Sequence, residues 1–68
     1  MPTEIGLTGG GSVKVVAPLD DVVAAVQAGH GVVDTQRFAG FRGNEPVAGE
    51  RVVVNVAAVA YAIDIHGH

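Results

Sequence analysis

The residues closest to metal chemistry stand together in Asp64-Ile65-His66-Gly67-His68. Alternate residues of an extended strand project to one side. Asp64, His66 and His68 would then present one carboxylate and two imidazoles together, a donor set for zinc, nickel or copper. Two physical considerations oppose that reading. Chain ends fray, and ligands without a supporting shell are usually incidental. The expectation is that no cofactor binds.

Arg37-Phe38-Ala39-Gly40-Phe41-Arg42 is the strongest candidate for binding. Two arginines flank two aromatic rings in a chain poor in both, and these residue types are enriched where interfaces hold most of their energy. Arg37, Phe41 and Arg42 are the candidate binding residues. The competing reading makes the segment a strand with at least one phenyl ring in the core and the arginines in solvent.

Other chemistry finds less support. Thr8-Gly9-Gly10-Gly11-Ser12 has the look of a phosphate loop, whose backbone N–H groups aim at a phosphate from the start of a helix. The next element here reads as a strand, and the Gly-Lys-Ser/Thr ending is missing. A hairpin turn explains the glycines better. His30 follows a helix end, where an imidazolium interacts favourably with the dipole. Ser12, Thr3, Thr8 and Thr35 have no elbow or neighbouring base to activate them. No catalytic residue is assigned, and the chain is read as a non-enzyme.

The composition limits the classes of function. Sixty-eight residues read as one domain. Such a chain buries only roughly 60% of the surface it exposes when unfolded, so a lone core is marginal. Small domains compensate with disulfides, metals or oligomerisation, and the sequence has no cysteine. Apolar residues make up 49% and charged residues 16%, against about 25% charged in ordinary globular domains. Some apolar surface should therefore seek a partner. Four Lys/Arg oppose seven Asp/Glu, a net charge of −3, which disfavours a surface that must neutralise phosphates. An Sm-like nucleic-acid-binding ring conflicts with that balance. No apolar run approaches the ~20 residues of a membrane span, and Met1-Pro2-Thr3-Glu4 lacks the basic and apolar regions of a signal peptide. No nucleic acid, no membrane and a cytoplasmic location are the expectations.

The elements that would position these residues can be read from periodicity. Glu4 to Thr8 alternates, and Ser12 to Val16 is β-rich; Gly9-Gly10-Gly11 joins them as a hairpin. Pro18 opens a helix, Asp20 and Asp21 suit its positive end, and Gly29 stops it. Leu19, Val22, Val23 and Val26 fall at i, i+3, i+4 and i+7 and predict the buried stripe. Phe38 and Phe41 lie three apart, which a regular strand would place on opposite faces. Gly40 then marks a bulge, or one ring faces another subunit. Gly43 to Pro46 reads as a loop. Val52-Val53-Val54 is apolar on both faces, and Tyr61, Ile63 and Ile65 alternate in a closing strand. The predicted fold is a small α+β domain, ββαβββ, with one helix on an antiparallel or mixed sheet.

The Ile5-Gly6-Leu7-Thr8 strand and the run from Val52 to Ala60-Tyr61 resemble a family of short actinobacterial proteins. That family opens with an "IG(I/L)T" strand and closes with an "AY" strand after a turn. In outline the chain is also similar to small flagellar-type proteins with a strand, an Asn, a short turn and a final strand. The resemblance implies the fold and transfers no functional residue. The expected function is a homo-oligomeric structural or adaptor module. The alternative is a small-molecule or metal-binding protein with its site at a subunit interface, using Arg37, Arg42 or the C-terminal histidines.

Overall fold

The computed structural model describes residues 1–66. Its elements are β1 (Thr3–Leu7), β2 (Ser12–Val15), α1 (Leu19–Ala28), β3 (Val32–Arg42), β4 (Glu45–Asn55), a 3-10 turn (Val56–Ala58) and β5 (Val59–Asp64). This is the expected ββαβββ order, and every pairing is antiparallel. The strands lie in the order β4-β3-β2-β1-β5.

That order forces the sheet to curl. Strands β4 and β5 occupy opposite edges, so in a flat sheet four spacings would separate them by roughly 19 Å. Yet Val56–Ala58 alone connects them, and four residue steps reach at most about 14 Å. The turn is pinned at both ends. The Val56 N–H donates to the Gly31 carbonyl beside β3 at 3.1 Å, and the Thr8 N–H donates to the Ala58 carbonyl at 2.9 Å. The Asn55 side chain accepts from the Ala57 N–H at 2.9 Å and caps the turn.

The core is almost wholly β-branched. Ile5, Val15, Val22, Val33, Val54 and Val56 are buried, and Leu7, Val13, Ala17, Ala25, Val52, Val59 and Ala62 pack around them. Thr3 is fully buried among these groups. Its hydroxyl donates to the Ala17 carbonyl at 2.7 Å, which ties the start of β1 to the approach to α1.

The helix differs from its expected face. Gly29 adopts the left-handed conformation, and its N–H closes onto the Val26 carbonyl, as the sequence predicts. Pro18, however, precedes the helix in extended conformation. Val22 is buried, whereas Val23 and Val26 are each 41% exposed. Leu19, Val22 and Ala25 form the inward line, because the small Ala25 lets the helix approach the curled sheet. Val23 and Val26 overhang the β5 side instead.

Residues 30–49 also differ. Strands β3 and β4 form one long hairpin, and at about 3.3 Å per residue their eleven residues each set the long axis of a body 34 × 22 × 19 Å. Its turn is only Gly43-Asn44, since Arg42 already pairs with Glu45. Glu45 and Pro46, expected in a loop, belong to β4. Pro46 is tolerated because β4 is an edge strand, where a residue without an N–H need cost no ladder bond.

Candidate functional site

The hairpin carries two compensating irregularities, and they decide where Arg37, Phe38 and Phe41 go. Between Gln36↔Arg51 and Phe38↔Ala48, β4 has one extra residue; between Phe38↔Ala48 and Phe41↔Pro46, β3 has one. Gly40 sits in the second bulge at φ +106°, a conformation most side chains avoid. The bulge re-phases β3, so both rings come to one side, with centroids 5.0 Å apart in an edge-to-face pair. Both rings are half-buried, and neither joins the core. The expectation of a phenyl ring in the core is corrected: the curled sheet buries only what lies beneath the helix, and these residues lie toward the hairpin tip.

Arg37 is engaged within the hairpin. Its Nε donates to both carboxylate oxygens of Glu50 at 2.9 Å, and its guanidinium lies 3.0 Å from where a Cβ at Gly49 would stand. Hydrogen bonding from Arg37 and from the backbone holds the Glu50 carboxyl below its ordinary range, against a small opposing effect of burial. Arg51 and Asp34 make a second cross-strand fork, with Nε–Oδ1 at 2.9 Å and a terminal nitrogen to Oδ2 at 2.6 Å. The hydrogen bond from Arg51 lowers the Asp34 carboxyl, and Asp34 in turn raises the Arg51 guanidinium. Both pairs are solvent-exposed, where such bridges add little stability. Arg42 is exposed next to the Gly43-Asn44 turn. Arg37 and Phe41 thus share one hairpin, but the guanidinium is turned to Glu50.

Asp64 ends β5 and His66 follows it, while His68 lies outside the described residues. Among the described residues no three His, Cys, Asp or Glu side chains cluster as metal ligands. His30 is exposed, and the carbonyl of Val26 is satisfied by the Gly29 N–H.

An apolar groove lies elsewhere, between α1 and β5. About 210 Å³ in volume, it is lined by Val22, Val23, Val26 and Gln27 on one side and residues 59–62 on the other. Val23 and Val26 at its rim are each 41% exposed, and on the other face of β5 Tyr61 and Ile63 are 49% and 50% exposed. The Tyr61 ring lies on the face of the sheet away from the helix, over a glycine. Gly6 pairs with Tyr61, and a Cβ at Gly6 would stand 1.9 Å from the ring. The phenol reaches toward Glu4 at 3.5 Å, the outer limit of a hydrogen bond. The periodicity of the sequence gives no sign of this groove, because it places Val23 and Val26 in the core. The paired Gly and Tyr are a detectable signal, since an aromatic across from a strand glycine is a known stabilising device.

No family model matches the chain, and neither curated proteins nor solved structures show a significant match.

Proposed function

We propose that this domain is a non-enzymatic, self-associating structural or adaptor module of the cytoplasm. The observation that supports the reading is that half-exposed apolar side chains flank one edge of a very small body, Val23 and Val26 on the helix side and Tyr61 and Ile63 on the other face of β5. Apolar side chains on both faces of one sheet edge are what a strand-edge interface would cover. A small core gains from covering them. Among the described residues, Arg37 and Arg51 of the hairpin are turned to Glu50 and Asp34. The proposal includes kinship with the short actinobacterial family, whose opening and closing motifs would meet here at Gly6 and Tyr61.

Light scattering after size exclusion tests the reading, run at high micromolar concentration and after hundredfold dilution. The expected result is a multiple of the 6.9 kDa chain mass that declines on dilution. A folded monomer throughout would overturn it.

A further inference from the structure

We propose that the occupant of the β5 edge is the β5 edge of a second copy, paired antiparallel about a two-fold axis near Ala62. This rests on the self-association proposed above and names the surface that performs it. The main-chain groups of β5 pair with β1 on one side, and among the described residues no backbone bond closes the other side. An open edge of this kind is a template for another strand. A bulge at the step from Val59 to Tyr61 interrupts the register. From Tyr61 to Asp64 the strand is regular, and the Ile65 N–H continues the ladder to the Pro2 carbonyl at 2.8 Å.

Three features select a copy of this chain over a foreign strand. First, Tyr61, Ala62 and Ile63 carry no charge that would recognise a particular peptide. Second, the pairing is self-compatible. A two-fold axis normal to the sheet pairs residues of the same face, so an axis through Ala62 sets Tyr61 opposite Ile63 of the copy and Ala60 opposite Asp64, and the strand's one carboxylate never faces itself. Third, the two-fold keeps both helices on the same face of the extended sheet. Val23 and Val26, which overhang the β5 side, then approach the same residues of the copy and cover the groove. The area is modest beside the ~800 Å² per partner of a standard interface. The dimer should therefore dissociate on dilution.

The chain has no cysteine, so one introduced thiol reports only on self-contact. Ala62→Cys and Ile63→Cys, oxidised mildly at high concentration, should form disulfide-linked dimers several-fold faster than Val47→Cys on the opposite edge. Ala60→Cys, exposed and within the bulge, should be intermediate. Hydrogen exchange on the unsubstituted chain supplies a second measurement. The β5 amides should gain protection with concentration, while those of β4 do not change. Dimers by light scattering that cross-link equally at Val47, or lack concentration-dependent β5 protection, would overturn the β5 pairing and leave self-association standing. Monomers throughout, without cross-links, would overturn both.

Discussion

Strand β4 closes one side of the sheet with Glu45, Pro46, Glu50 and Arg51 along its length, whereas β5 closes the other with Tyr61, Ala62 and Ile63. Along β4 three common safeguards against edge pairing are present: a proline, charges of both signs and irregular register. Along β5 one bulge stands near the start, and no charge appears before Asp64. Both strands belong to the same sheet and both are edges. The difference therefore lies in side chains and not in topology. One edge is finished by its own sequence, and the other is left open beside an apolar groove.

Substitutions on adjacent helix residues give the largest effect and separate the core from the open edge. Val22→Asp should unfold the domain, because an unpaired buried charge costs several kcal/mol against a total stability of about 5–15 kcal/mol. Val23→Asp should fold with a near-unchanged melting curve while weakening self-association. Equal melting of the two variants would show that the groove and the core are not distinct.

The seat of β5 can be disturbed next. Gly6→Ala forces the Tyr61 ring away, and overpacking of this kind costs about 1–3 kcal/mol. The same substitution in a Tyr61→Ala background should cost much less, which denaturant unfolding of the four proteins would measure as a coupling energy. Additive costs would mean that the ring does not rest on Gly6.

Thr3→Val keeps the shape of a buried side chain but leaves the Ala17 carbonyl without its donor. A loss of about 1–3 kcal/mol in chemical denaturation is expected. An unchanged midpoint would show that the carbonyl finds another partner.

The protected edge should respond least, and to acid. The Asp34 and Glu50 carboxyls are lowered in the folded chain, so their contribution is present above the ordinary carboxylate range. It is lost as pH falls through that range and below. Melting scans should show a small acid-side decline that shrinks in the Asp34→Asn, Glu50→Gln double variant. An identical decline in both proteins would place the acid sensitivity elsewhere.

Much of the fold was legible because its signals are local. The glycine run after Leu7, the acids at the start of α1 and the stop at Gly29 each act within one turn of chain, and all three are where the sequence puts them. Gly40 as a bulge was legible for the same reason: two phenylalanines three apart need a re-phased strand to share a side. The candidate site was less legible. Arg37 stands out by composition, yet its partner Glu50 is set by a long hairpin with two register shifts, which no local pattern reveals. The span of β4 was misjudged because Pro46 reads as a loop signal unless the strand is known to be an edge.

The sequence by itself determined the order and kind of the main elements, the first hairpin turn, the helix stop and an apolar excess large for so small a surface. These follow from backbone preferences and composition, which act without reference to distant parts of the chain. Only the tertiary structure decided which valines are core. A ten-residue helix on a curled sheet faces inward along Leu19, Val22 and Ala25, and the curl itself arises because the 3-10 turn must join opposite edges. That closure sends Val23 and Val26 to the side of β5, places Tyr61 over Gly6 and leaves one edge of the sheet open.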